Sequence, residues 1–142
     1  RIEGGIFNWG ADMTYENNAF EMGLERLVDF ALADDACISI VALRRIKEQG
    51  VARRLVGVEL DGAPFPALNN VKWSALSGGQ RIGKVTSAIW SPRLGANIGF
   101  CWVPAALAVE GTALLVESEW GTRTATVVPM PFVDPEKRIP VS

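Results

Sequence analysis

Arg81-Ile-Gly-Lys-Val-Thr-Ser-Ala-Ile-Trp-Ser-Pro-Arg-Leu94 is the stretch on which the fold turns. Ile82, Val85, Thr86 and Ile89 are β-branched and favour a pleated, half-buried strand. Pro92 has no N–H for a sheet ladder, so Ser91-Pro92 ends the strand. Residues 96–103 read as the next strand. Working upstream, Ser77-Gly78-Gly79 is a hairpin turn that joins residues 81–89 to a strand at 71–76. Further back, Leu55, Gly57 and Glu59 alternate with Val56, Val58 and Leu60, a period of two. Asp61-Gly62 then marks a turn, and Pro64 and Pro66 force an irregular loop. Downstream, Gly111 precedes a strand at 112–119, and Trp120-Gly121 makes a hairpin into 122–128. Short strands at such spacing, with turn signals between them, point to an antiparallel sandwich or small barrel. The fold class is therefore mainly β, with one or two helices.

The first half differs. Gly4, Gly5 and Gly10 interrupt any regular element, yet Ile6, Phe7, Trp9, Phe20 and Met22 need cover. They pack either on this domain or on a neighbouring one, and Trp9 is read as core. Leu24 to Leu32 fits helical spacing and a short strand equally. Residues 39–50 are a clearer helix: Ser39 is an N-cap, Ile40, Leu43 and Ile46 form the apolar stripe, and Gly50 is the stop. Arg44, Arg45 and Lys47, with Arg53 and Arg54 beyond, read as a solvated face rather than a phosphate site.

Composition narrows the functions. The 142 residues are 49% hydrophobic and 21% charged, enough for one ordinary domain with a real core. A net charge of -2 carries no electrostatic footprint for nucleic acid or an anionic membrane. No apolar run approaches the roughly 18–20 residues of a membrane span. Cys37 and Cys101 are expected to be free thiols of a reducing, cytoplasmic protein. With no histidine, a zinc site and every Ser-His or Cys-His nucleophile are unsupported. The opening Arg1-Ile-Glu-Gly-Gly reads as the tail of an element that starts upstream, so the chain is expected to be part of a longer protein.

Several segments, in order, resemble the folate-dependent T-protein (aminomethyltransferase) superfamily. They are Arg1-Ile-Glu-Gly-Gly-Ile-Phe-Asn-Trp-Gly10, Arg53-Arg-Leu-Val-Gly57, Gly83-Lys-Val-Thr-Ser87, Ser91-Pro92, Asn97-Ile-Gly99 and Pro131-Phe-Val133. The spelling of Asp12 to Leu24, Ala88-Ile-Trp-Ser-Pro-Arg-Leu94 and Phe132-Val-Asp-Pro135 is more similar to the dimethylsulfoniopropionate demethylase branch. The resemblance implies that residues 1–50 end the second, α+β folate-binding domain and its connecting helix. It implies that residues 51–142 form a C-terminal, Greek-key-like antiparallel β-barrel. It also implies tetrahydrofolate as cofactor, a small-molecule one-carbon donor, and the N-terminal domains of the same protein as partners. The family's catalytic aspartate and acidic pterin contact lie in the first two domains, so no catalytic residue is assigned here. Glycine cleavage T-protein activity and a non-catalytic folate-binding or docking module stay open as alternatives.

Three residues are candidate folate contacts. Lys137 follows Pro131-Phe-Val133 at a position where T-proteins often place a folate-facing residue, and a cation there suits the glutamate tail. Trp90 and Arg93 flank the break at Pro92, and loops at sheet ends carry function more often than sheets do. Trp90 either packs the barrel end or offers its ring to a pterin, and Arg93 is suited to a carboxylate. Lys84, Thr86 and Ser87 match a phosphate loop in composition only. Nothing in the sequence brings the acidic Glu3, Asp12, Glu16 and Glu21 together.

Overall fold

The computed structural model describes residues 1–31 and 37–136. Six strands carry the fold: β1 Arg53–Leu60, β2 Trp73–Ser77, β3 Gln80–Ser91, β4 Ala96–Pro104, β5 Ala113–Ser118 and β6 Gly121–Val128. They close into an antiparallel barrel in the order β1-β4-β3-β2-β5-β6. The mainly β reading and the expected antiparallel barrel are thus what the chain forms. The two tight hairpins fall where the glycines put them. Gly78 and Gly79 both have positive φ (57° and 77°), as a type I′ turn requires, and Gly121 follows at 101°.

Alternation along the strands sorts side chains onto two faces. Val56, Val58 and Leu60 of β1 point inward with Val85, Ala88, Cys101, Val103, Val116 and Val127 to fill the barrel. Leu55, Ile98, Phe100 and Trp102 point outward, yet they too are buried. Their cover is the N-terminal segment, which lays Ile2, Phe7, Met13, Met22 and Leu24 over the outer wall of β1, β4 and β3. Met130 and Phe132 return over the same wall. Gly57 makes this return possible: a Cβ there would lie 2.7 Å from the Met130 side chain and 3.0 Å from the Phe132 ring.

The inner core closes at one end with Phe65, which packs against Trp73 and Trp120 at ring distances of 5.2 and 5.3 Å. Asn97 fixes Phe65 by accepting its N–H at 2.8 Å and donating to the Ala63 carbonyl. Glu119 accepts the Asn70 N–H and the Trp73 indole N–H, which together hold its carboxyl below the ordinary value, the Asn70 bond foremost.

Three local readings are corrected. Leu24 to Leu32 is neither helix nor strand where described: Glu25–Leu27 is a single 3₁₀ turn, with Leu27 exposed, while Leu32 lies outside the described residues. The helix α1 spans Ile40–Gln49 and stops at Gly50 (φ 76°). Ser39 does not cap it with its side chain, because Ser39 already has helical dihedrals and its hydroxyl sits 3.4 Å from the Cys37 sulfur. Only Ile40 of the helix is buried, and Arg44 and Lys47 reach across to the Phe30 carbonyl and ring. Trp9 is not core: it is 53% exposed, edge-on to the exposed Tyr15 ring at 4.5 Å, because the turn at Gly10 gives the inward place to Met13.

Phe100 joins the two layers, with Phe7 edge-on at 5.0 Å and Phe132 stacked at 6.0 Å. Phe100→Ala is expected to cost about 3–5 kcal/mol, read as a lowered urea midpoint with an unchanged slope.

Candidate functional site

The most polar buried constellation lies under the N-terminal segment. Asp12 is 1% exposed. One carboxylate oxygen accepts from Arg1 Nη1 and the Asn8 N–H, both at 2.8 Å. The other accepts from Thr86 Oγ1 at 2.7 Å and Ser87 Oγ at 2.6 Å. Arg1 Nη2 also donates to Ser87 Oγ, and the Trp102 indole donates to the Asp12 carbonyl. Two adjacent strand residues should face opposite sides, but the register shifts between Val85 and Ser87. This β-bulge sends Val85 and Ala88 inward and turns both hydroxyls outward to one carboxylate.

An ionised carboxylate has about four acceptor sites, and Asp12 fills them with four donors. No lone pair is left for a substrate proton, so Asp12 fastens and does not catalyse. Its neighbours repeat the pattern. The Ser91 hydroxyl donates to Glu3, and Arg53 Nε donates to Glu21 at 3.1 Å. Glu16 stays exposed. The four acidic residues do not converge, as the sequence led one to expect; three of them instead tie the N-terminal segment to separate points on the barrel. Sequence reasoning missed this because the barrel partners of Asp12, Thr86 and Ser87, lie more than seventy residues away, at a bulge that no pattern announces.

Two of the candidate folate contacts, Trp90 and Arg93, lie at one barrel end. Trp90 is half-buried near the end of β3, opposite Asn97 and on the face away from the Ile89–Ile98 pair. Ser91 anchors the turn that follows: its hydroxyl accepts the Leu94 N–H and its carbonyl accepts the Gly95 N–H. Arg93 is exposed on that turn. Trp90 and Arg93 thus share one ordered strand-turn unit. Lys137, with Arg138, lies outside the described residues. Among the described residues there is no group of three or more Cys, Asp or Glu placed to hold a metal, and no helix is long and apolar enough to cross a membrane.

Residues 53–134, more than half of the chain, match the glycine cleavage T-protein C-terminal barrel domain. The chain belongs to that family. An aminomethyltransferase of Synechococcus sp. (strain CC9902) is 39% identical over 93% of this chain and 35% of its own length. The dimethylsulfoniopropionate demethylase DmdA of Ruegeria pomeroyi is 33% identical over 89% of this chain and 34% of its own length. The crystal structure of glycine cleavage system aminomethyltransferase T from Bartonella henselae superposes with a TM-score of 0.79 at 26% identity, over 94% of this chain and 37% of that one. The T-protein barrel described here, with its N-terminal cover, therefore spans about a third of the length of these relatives.

The donor set at the Trp90 turn fits a folate in kind. An indole suits the flat pterin or aryl ring, and an exposed guanidinium suits the carboxylates of the tail.

Two outcomes test the fastening by Asp12 and the different settings of the two thiols. Asp12→Asn keeps the volume but puts an amide N–H₂ against donors, and should cost about 1.5–3 kcal/mol. Proteolysis should then cut within residues 1–28 while the barrel core stays protected. The thiols should also separate. Burial pushes Cys101 up to about 12, whereas Cys37 is lowered, chiefly by its side-chain hydrogen bond with Ser39. An aromatic disulfide reagent near neutral pH should label Cys37 in the native chain and Cys101 only after denaturation.

Proposed function

We infer that this barrel forms one wall of the tetrahydrofolate cleft of a larger one-carbon transferase, with residues 1–50 as the end of the preceding folate-binding domain. The observation that carries this reading is the family match over the barrel, taken with named relatives that are an aminomethyltransferase and a demethylase. Tetrahydrofolate would accept the methyl or aminomethyl carbon. The part of this chain is to shape the cleft: Trp90 gives a flat apolar surface, Arg93 and Lys137 give positive charge to the tail, and the Ser91 anchor holds the turn in place.

The donor is either an aminomethyl carrier, as the name of the Synechococcus relative suggests, or a sulfonium such as dimethylsulfoniopropionate. The local spelling around residues 88–94 and 132–135 and the DmdA relative support the sulfonium. A non-catalytic module is the second reading. It is favoured for the isolated chain by one observation: Asp12 and Glu21, the buried carboxylates among the described residues, are both held by hydrogen bonds to neighbouring groups.

The isolated 142-residue chain should give no 5-methyltetrahydrofolate or methylenetetrahydrofolate above a no-protein blank with either donor. The full-length protein should give one of them, and which one names the donor. In that protein Trp90→Ala should lose about 2 kcal/mol of folate affinity, and Lys137→Ala less than about tenfold. Unchanged folate affinity with a lowered melting point for Trp90→Ala would return Trp90 to packing alone.

A further inference from the structure

A groove lies toward the end of β3 away from Trp90. It has a volume of about 370 Å³ and is lined by Arg53, Arg81 and Lys84 around Gly83, Val103 and Pro104. Its size is that of a small-molecule site. Six residues of extended chain separate Lys84 from Trp90, roughly 20 Å at about 3.3 Å per residue, so the groove is not part of the proposed folate wall.

Arg53 is prepared for a ligand. Its Nε donates to Glu21 at 3.1 Å, and the guanidinium lies 5.0 Å above the Trp102 ring. These two contacts fix the plane of the fork and leave its terminal nitrogens for a planar, two-pronged acceptor. Arg81 and Lys84 form no ion pair among the described residues, although the chain carries more acidic than basic side chains. Glu21 offsets the charge of Arg53 in part, but Arg81 and Lys84 add two cations to the same small groove, and a bound anion relieves their repulsion. Gly83 lets the two strands beneath the groove approach closely. A Cβ there would come within 1.8 Å of the Trp102 carbonyl oxygen, so β3 can lie this close to β4 only with glycine.

We propose that the groove between Arg53, Arg81 and Lys84 binds a small multivalent organic anion, a di- or tricarboxylate or a phosphate ester. The apolar surface of Pro104 and Trp102 suits the carbon skeleton of such a molecule, and the cations on the rim suit its charges. This departs from the sequence reading, in which Arg53 belonged to a solvated face.

Calorimetric titration of citrate and of pyrophosphate into the chain at low ionic strength tests the site. At least one should bind saturably at one site per chain, with a Kd on the order of 1 mM or tighter. Preference for citrate names carboxylates as the natural groups, and preference for pyrophosphate names phosphates. The double variant Arg81→Gln, Lys84→Gln should bind about tenfold more weakly or worse. Arg53→Lys, which keeps the charge but not the fork, should also lose affinity. Arg81→Gln alone, at an exposed position, should fold and show an intermediate loss, and melting curves check that each variant is native. Arg45→Gln, on the exposed face of α1, should bind as the parent chain does. The proposal fails if neither anion saturates, if the native double variant binds unchanged, or if Arg45→Gln weakens binding as much as Arg81→Gln.

Discussion

The carboxylate of Asp12 is the constraint on which the rest of this molecule hangs. A buried charge is costly unless hydrogen bonds satisfy it, and here four donors from two parts of the chain converge on it. Arg1 and Asn8 come from the covering segment, and Thr86 and Ser87 come from the barrel. The cover itself has almost no regular structure of its own, so it cannot hold its shape by backbone ladders. It holds its shape because its polar groups are fastened at Asp12, Glu3 and Glu21, and its apolar groups are buried between those points. Removing any fastener would leave an unsatisfied polar atom in an apolar seam, a penalty larger than the modest net gain of forming the bond.

The cover explains the strand sequences. A barrel wall with water outside would alternate strictly, as β5 does, with buried Leu114 and Val116 between exposed Ala113, Leu115 and Glu117. β4 is buried along nearly its whole length, because one face fills the barrel and the other meets the cover. The charge pattern follows the same division. Arg53 and Arg54 leave the covered wall at the start of β1 and pair with Glu21 and Glu25 of the cover.

Much of the barrel was legible in the sequence because its signals are local. The alternation at 55–60, the β-branched run at 81–89 and the glycines at 62, 78 and 121 each act on their immediate neighbours, and each element formed within a few residues of its expected bounds. The N-terminal segment was not legible for the converse reason. Ile6 and Trp9 look as apolar as Phe20 and Met22, yet the first two are exposed and the last two buried. What decides between them is which side of an irregular chain meets a wall built from strands far along the sequence. Ser39 shows the same limit on a small scale: the right residue stands at the right place for a cap, but its hydroxyl has a nearer partner in Cys37. Of the candidate site, the strand break at Ser91-Pro92 was readable, while the Asp12 anchorage and the Arg53 groove depend on pairings between distant strands.

The seam that closes the barrel joins Gly57–Leu60 to Ala125–Val128. As the chain leaves the ribosome, β1 emerges first and its closing partner last. Through that interval one edge of β1 has no mate, while β4, β3 and β2 can already form a meander beside it. Folding of this unit is therefore non-local by construction, and contacts of such wide sequence separation form slowly. The covering segment is made before any strand, and it binds the outer wall of β1 and β4 rather than the seam. It is thus positioned to steady the open sheet from outside while the last hairpin is still being synthesised.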